Sequence, residues 1–254
     1  MTIGVQMYTV REYCKDLEGF SNTLSRIADM GYTTVQVSGT CAYPADWLAA
    51  ELTRTGLKCV ITHIKPEIIR DETAKVSADH LIFGCRNIGI GALPGCVIDE
   101  EKYTSFVKEY LPVAKALKAE GQKLFYHNHW FEFERSIDGR IYFDRFLEDF
   151  PADLLGITFD TYWAQFSGAD PAEFLKKLKG RIECIHLKDM TMFGHKEQRM
   201  APVGYGNMNF ERIISSAEDA QAQFLLVEQD KCYDEDPFDC LKKSYDYLRS
   251  LGLN

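Results

Sequence analysis

The sequence lacks paired cysteine motifs, long apolar runs and an excess of basic residues. Its eight cysteines include no C-x-x-C pair, and we therefore expect free thiols in a reducing compartment. No apolar run approaches the roughly 20 residues of a membrane-spanning helix. The first residues show neither the basic region nor the apolar stretch of an export signal. These absences predict a cytoplasmic protein with no membrane partner.

The charge balance argues against a nucleic-acid partner. The chain has 38 acidic and 29 basic residues among 254, which gives a net charge of −9. A polyanion would meet a repulsive field from such a protein. Apolar residues make up 46% of the sequence, which suffices for one large core or two small ones and excludes a disordered chain.

Glycine is missing where an open, doubly wound sheet would need it. Eight β-rich segments alternate with eight segments of helical period. The segment Tyr8-Thr-Val-Arg-Glu-Tyr follows the first predicted strand without a glycine, whereas a nucleotide-binding sheet has a Gly-rich loop there. The predicted strands are 3–8, 34–38, 58–63, 87–91, 123–129, 155–160, 182–188 and 224–229.

Eight strand-then-helix units in about 250 residues match the size of a (β/α)8 TIM barrel. The helical segments are 17–30, 44–55, 71–84, 99–119, 143–149, 170–179, 209–221 and 237–250. No linker or change of composition divides the chain, so we predict a single α/β barrel domain over 1–254. Two long connections, 130–142 with the turn Ile137-Asp-Gly-Arg and 189–209, follow strands and are expected at the catalytic rim.

Four late strands are each predicted to end at a side chain that can bind a metal ion. A barrel interior prefers branched apolar residues, so these polar strand ends call for an explanation. Nitrogen and oxygen ligands together suit Mn²⁺, Zn²⁺, Co²⁺ or Fe²⁺. We therefore predict one divalent metal ion, the alternative being hydrogen-bonded rim residues. The candidate ligands are His127, Asp160, His186 and Glu228.

The chain resembles the sugar phosphate isomerase/epimerase family of xylose-isomerase-like barrels, which includes inosose dehydratase and endonuclease IV. The resemblance extends along most of the chain. The shared motifs are fairly specific for the superfamily, but they say little about which substrate is bound. It is carried by Val35-Gln-Val-Ser-Gly, Tyr126-His-Asn-His-Trp-Phe-Glu-Phe, Phe159-Asp-Thr-Tyr-Trp-Ala, His186-Leu-Lys-Asp-Met, Pro202-Val-Gly-Tyr-Gly-Asn and Val227-Glu-Gln-Asp.

The resemblance implies a metal site and two departures from it. Members commonly bind one divalent ion through a glutamate, an aspartate, a histidine and a glutamate on the fifth to eighth strands. Asp160, His186 and Glu228 match the last three, while His127 stands where the first glutamate is expected. Trp163 stands where many relatives have histidine. Glu132 or Glu134, from the long loop, is an alternative source of the missing carboxylate.

The resemblance also implies a reaction. We expect a metal-dependent isomerase or epimerase of a keto-sugar or sugar phosphate, with an enediolate formed when a C–H beside the carbonyl is deprotonated. Glu228 is the candidate base. His129 and Lys188 are candidates for moving a proton to a substrate oxygen, and His63 faces the same rim. Lys188 has an alternative role as the ion-pair partner of Asp189 or Asp160, and His63 has one as a polar cap on its strand.

Further residues are candidates for binding the carbohydrate substrate. Tyr8, Trp130 and Trp163 offer an apolar face for a sugar ring, although plain packing explains aromatic residues nearly as well. Arg199 in the long seventh loop is a candidate for receiving a phosphate. The sequence leaves the oligomeric state open and is compatible with a homo-oligomer.

Three other functions compete with the isomerase. Inosose dehydratase also has a His-x-His pattern on the fifth strand, so a dehydratase or lyase of a keto-sugar or keto-inositol is the main alternative. A decayed barrel that binds sugar without catalysis is a weaker one. A nuclease like endonuclease IV would need about three metals and a basic face, but the second strand offers Gln36 in place of a carboxylate.

Overall fold

The computed structural model describes residues 1–254 and contains ten strands and ten α-helices. Eight strands form one closed, entirely parallel barrel, and two form an antiparallel hairpin outside it. The strands are β1 (Thr2–Gln6), β2 (Thr34–Val37), β3 (Lys58–Ile64), β4 (Asn87–Ile90), β5 (Lys123–His127), β6 (Leu155–Asp160), β7 (Ile182–Leu187), β8 (Asp189–Phe193), β9 (Glu197–Ala201) and β10 (Phe224–Val227).

Strands β1 to β7 follow one another around the barrel in chain order, and β10 closes it between β7 and β1. The helices connect the strands and cover the barrel. They are α1 (Leu17–Asp29), α2 (Ala45–Thr55), α3 (Pro66–Asp71), α4 (Thr73–Ile82), α5 (Glu100–Ala119), α6 (Tyr142–Asp149), α7 (Thr161–Phe166), α8 (Pro171–Leu175), α9 (Phe210–Asp219) and α10 (Pro237–Ser250). None of these helices combines the length and the apolar character needed to cross a bilayer.

Apolar side chains fill the part of the barrel interior that lies towards the amino ends of the strands. A buried cluster there consists of Val60, Ile61, Phe125, Cys184 and Leu226. Gly156 in β6 makes room for Phe125, because a Cβ at this position would lie 2.2 Å from the phenylalanine ring. The carboxyl ends of the late strands carry polar residues instead, which places a functional site at the rim where barrel enzymes bind their substrates.

The structure confirms the predicted (β/α)8 barrel and all eight of its strands. The expected turn in the loop 130–142 is also present, since Arg135 and Ile141 form an antiparallel bridge. The fifth strand ends at His127, two residues earlier than the prediction, because the chain turns into a short 3-10 helix at Phe131–Phe133.

The hairpin of β8 and β9 was not predicted. It occupies the segment 189–201 that we expected to be a connection without strands. The first strand alternates polar and apolar residues only over Asp189-Met-Thr-Met, and the second, Glu197-Gln-Arg-Met-Ala, does not alternate. The period-two signal of a half-buried strand is therefore too short here to predict a hairpin.

Candidate active site

The four predicted metal ligands converge at the carboxyl ends of adjacent barrel strands. His127 ends β5, Asp160 ends β6, His186 lies on β7 and Glu228 directly follows β10. One nitrogen or oxygen atom of each residue lies within 4.8 Å of those of the other three. All four side chains are buried.

The facing atoms of this cluster are nitrogen and carboxylate oxygen. His127 Nε2 lies 3.2 Å from Asp160 Oδ2. His186 Nδ1 lies 2.9 Å from Glu228 Oε2 and 3.8 Å from Asp160 Oδ2. Two nitrogens and two carboxylates in a buried space form a donor set that suits a divalent transition-metal ion.

The outer nitrogen of each imidazole contacts a carbonyl oxygen. His127 Nδ1 lies 2.8 Å from the Gly91 carbonyl, and His186 Nε2 lies 2.6 Å from Gln36 Oε1. A carbonyl oxygen only accepts, so these outer nitrogens donate. In a neutral imidazole the inner nitrogen then carries no hydrogen, and its lone pair faces a carboxylate. His186 Nδ1 is buried without a hydrogen-bond partner, so the cluster fits a metal ion.

Asp160 is held rigidly in this position. Its backbone N–H donates to Asn128 Oδ1 at 2.9 Å, and its Oδ1 accepts the Trp163 N–H at 3.0 Å as the cap of α7. The other carboxylate oxygen, Oδ2, is the one that faces the two histidines. One side chain thus starts a helix and presents an oxygen to the cluster.

Lys188 balances much of the negative charge. Its buried Nζ lies 3.1 Å from Asp160 Oδ2, 2.9 Å from Glu228 Oε2 and 3.1 Å from Asp230 Oδ2. Burial opposes the charged amine, but these three carboxylates raise the pKa of Lys188 well above its usual value. For Glu228, burial opposes ionisation, but Lys188 and His186 hold the pKa of the carboxyl well below its ordinary value. Both groups are charged at neutral pH.

Two further histidines pack against the cluster. The ring of His63 lies 5.2 Å from that of His127 and 5.6 Å from that of His186, and His129 lies 4.6 Å from His127. Burial, reinforced by His127, lowers the pKa of His129 to about 3. Burial also lowers the pKa of His63 well below its usual value. Both rings are neutral at pH 7.

A cavity of about 340 Å³ opens above these residues. Among the predicted site residues, it is lined by Tyr8, His63, His127, His129, Lys188 and Glu228. Asp230, which sequence reasoning did not single out, also lines it. Burial raises the pKa of Asp230 to about 6, although Lys188 opposes the rise. The only sequence signal for Asp230 was its place two residues after Glu228.

The predicted tryptophans pack against each other and against His129. The ring of Trp163 is 4.9 Å from that of Trp130 and 5.6 Å from that of His129, and Lys188 Nζ is 5.5 Å from the Trp163 ring. Neither tryptophan lines the cavity itself. They support His129 and Lys188, and Trp130 is partly exposed at the rim.

The structure does not bring Arg199 to this cavity. Arg199 lies on β9, pairs with Glu197 at 2.8 Å and stacks over the rings of Phe193 and Tyr233. It lines a separate cavity of about 360 Å³ beside the hairpin. An ionic partner and two aromatic rings account for its position.

Glu132 does not take the place of the missing carboxylate. It is completely buried, and its carboxyl accepts hydrogen bonds from the Tyr126 hydroxyl and the His129 backbone N–H. Burial raises its pKa to about 8, against the opposing effect of these donors. The fourth side chain of the cluster is His127.

The sequence profile of the xylose isomerase-like TIM barrel matches residues 24–251. The chain belongs to this family. Inosose dehydratase of Clostridium perfringens is 25% identical over 150 residues, which cover 53% of this chain and 50% of that protein. The match therefore spans about half the length of this curated relative.

Solved structures of xylose isomerase-like barrels share the whole fold. A sugar phosphate isomerase/epimerase from Parabacteroides distasonis superposes with a TM-score of 0.82 at 22% identity, over 98% of this chain and 93% of that one. An L-ribulose 3-epimerase superposes with a TM-score of 0.76 at 15% identity, over 100% and 95% of the two chains. Xylose isomerase-like proteins similar to this chain thus carry the names of isomerases, epimerases and dehydratases.

Proposed function

We propose that this chain is a divalent-metal-dependent isomerase or epimerase that acts on a keto-sugar or sugar phosphate through an enediolate. The observation that carries this proposal is the buried cluster of His127, Asp160, His186 and Glu228 at the base of a cavity. A bound divalent ion would polarise the substrate carbonyl and lower the barrier to losing the neighbouring proton.

Glu228 is the base in this proposal. It is ionised, it lines the cavity, and it lies beside the charged Lys188 at 2.9 Å. Lys188 is a proton donor to a substrate oxygen and holds the carboxylate in place. His129 lines the same cavity as a neutral ring, so it is an acceptor or a neutral N–H donor and not an imidazolium acid.

Proton transfer from one side of the substrate fits these residues. An epimerase with two opposed carboxylates needs a partner for Glu228 across the substrate. The fifth strand supplies His127 there, and Glu132 is bound to Tyr126 and His129. Isomerisation needs only one base. Epimerisation would need His129 or His63 as the second proton-transfer group.

A dehydratase of a keto-sugar or keto-inositol is the second candidate. It is favoured by the similarity to inosose dehydratases and by the histidine, in place of a second carboxylate, at the end of the fifth strand. Glu228 would remove the same proton, and Lys188 would protonate the hydroxyl that leaves the neighbouring carbon. The two candidates share their first step and differ in their products.

Metal content tests the site itself. Asp160→Asn keeps an oxygen for the helix cap but replaces the facing carboxylate with an amide, and His186→Ala removes one ligand. Both variants should lose most of their bound metal by elemental analysis and keep a native circular dichroism spectrum. Full occupancy in both would show that these residues are not the ligands. A purified wild-type protein with no tightly held ion would favour a non-catalytic binding protein.

Exchange with solvent tests the reaction. In D₂O, a competent keto-sugar should gain deuterium at the carbon beside its carbonyl, as seen by proton NMR. A product lighter than the substrate by one water identifies the dehydratase. A product whose mass differs from that of the substrate only by deuterium identifies the isomerase. Turnover without any deuterium would contradict proton abstraction by an exchangeable base. Glu228→Gln should abolish the exchange.

A further inference from the structure

We propose that Gln36 is a positioning residue that fixes His186 as a metal ligand. Gln36 lies on β2, and its Oε1 is 2.6 Å from His186 Nε2. Both side chains have no exposed surface. The inference rests on the proposed metal site and adds a residue that lies outside the four ligands.

The contact decides which nitrogen of His186 faces the cluster. Because Oε1 of Gln36 only accepts, Nε2 of His186 carries its hydrogen. In a neutral ring Nδ1 is then a lone pair, and it faces Glu228 Oε2 and Asp160 Oδ2. An outer hydrogen bond of this kind also fixes the orientation of a ligating ring and raises its basicity.

Gln36 reaches His186 across the barrel interior. Two strands, β1 and β10, separate β2 from β7 in the closed sheet, so the contact is not one between neighbouring strands. It joins the second strand to the seventh below the cluster. The position of the His186 ring is thereby tied to a strand that supplies no ligand.

Stability alone does not account for this glutamine. Its Nε2 is buried and has no hydrogen-bond partner, and an unsatisfied buried donor costs the folded state stability. An apolar residue of similar size would avoid that cost. The oxygen that accepts from His186 is the part of the amide that has a partner, which supports a role in holding the ring.

Zinc affinity provides the test, measured on metal-stripped protein by competition with a chromophoric chelator. Gln36→Met keeps the size of the side chain but removes the acceptor, and it should weaken zinc binding by about 10–100-fold. Gln36→Glu keeps an acceptor oxygen and should bind zinc at least as tightly as the wild type. The matched control is Gln6→Met, since Gln6 is equally buried, lies in register with Gln36 and contacts the Tyr8 N–H. Its zinc affinity should equal that of the wild type.

A spectroscopic measurement distinguishes loss of the His186 ring position from general disruption of the fold. In the zinc-loaded protein, a ¹H–¹⁵N spectrum of the imidazole rings should show a hydrogen-bonded Nε2–H for His186 in the wild type and in Gln36→Glu. In Gln36→Met that resonance should lose its hydrogen-bond shift or broaden by exchange. Retained zinc affinity in Gln36→Met would overturn the inference, as would an equal loss in Gln36→Glu. A wild-type protein that binds no zinc or other divalent ion would instead overturn the proposed metal site.

Discussion

At the scale of the residue, His127 stands at the strand end where the family resemblance implies a glutamate. A neutral imidazole in place of a carboxylate leaves a bound ion one unit more positive, and it therefore strengthens the pull on substrate oxygens. The ring is held by the Gly91 carbonyl at 2.8 Å. That backbone acceptor keeps Nε2 directed at the cluster.

Substitution of His127 tests its place among the ligands. His127→Ala should weaken metal affinity by at least ~10-fold, because even the loss of an outer partner of a ligand costs ~10–100-fold. His127→Glu should preserve or tighten binding, since it restores a carboxylate. Isothermal titration of metal-stripped protein with Mn²⁺ or Zn²⁺ measures both. If the alanine variant binds as well as the wild type, His127 faces the substrate and does not bind the metal.

The raised pKa of Glu132 predicts that the stability of the fold depends on pH. Burial raises its pKa to about 8, well above the ordinary value for glutamate. The folded protein therefore favours the protonated carboxyl. The stabilising effect is complete below the pKa of the unfolded chain, near 4.5, and is lost as the pH rises through about 8. Each unit of separation corresponds to about 1.4 kcal/mol.

Glu132→Gln should remove this dependence, because an amide stays neutral and can still bond Tyr126 and the His129 N–H. Urea unfolding between pH 5 and pH 9 should show that the wild type loses stability with rising pH while the variant loses less. Tyr126→Phe is the matched control that removes one hydrogen bond and leaves the carboxyl ionisable. Parallel pH profiles for the wild type and Glu132→Gln would contradict the assignment.

At the scale of the element, one buried carboxylate at the start of β8, that of Asp189, holds the segment that follows β9. Asp189 accepts backbone N–H groups from Met190 at 2.7 Å, Gly204 at 3.0 Å, Gly206 at 2.9 Å and Met208 at 3.2 Å. A side chain on Gly206 would collide with this carboxylate, since its Cβ would lie 2.4 Å from Asp189 Oδ1. The segment 202–208 thus folds around Asp189.

Asp189→Asn should destabilise this segment. The amide presents a donor to two backbone N–H groups, which leaves buried donors unpaired at a cost of about 1–3 kcal/mol each. Hydrogen exchange at Gly204 and Gly206 should accelerate more than exchange in the barrel strands. Asp138→Asn, in the exposed turn of the loop 130–142, is the control. Unchanged protection at both glycines would show that Asp189 does not hold the segment.

How far the sequence predicts an element depends on how local its signal is. The alternation of β-rich and helical segments along the chain predicts four strand ends, each from residues close to it in sequence. They are the ends at His127, Asp160, His186 and Glu228. The contact of Gln36 with His186 joins residues 150 positions apart, and no local pattern predicts it. The sequence shows that Glu132 lies in the loop after the fifth strand, but where its carboxyl points depends on its contacts with Tyr126 and with the loop backbone.

At the scale of the whole molecule, the site links strands from both halves of the chain. The proposed ligands lie on β5, β6, β7 and after β10, and their outer contacts reach Gln36 on β2 and Gly91 after β4. A metal ion held by these residues binds the folded barrel and not the unfolded chain. It therefore stabilises the fold in proportion to the logarithm of its concentration.

Chelation should accordingly lower the melting temperature of the wild type. At a free ion concentration of 100 times Kd the stabilisation is about 2.7 kcal/mol, which in a chain of this size corresponds to a shift of roughly 5–10 °C. Scanning calorimetry with Zn²⁺ and then with an excess of chelator measures the shift. Asp160→Asn keeps the cap of α7 but loses the facing carboxylate, so its melting temperature should not respond to the chelator. An equal response in the wild type and in this variant would place the stabilising ion elsewhere on the molecule, because the barrel would then be stabilised without Asp160.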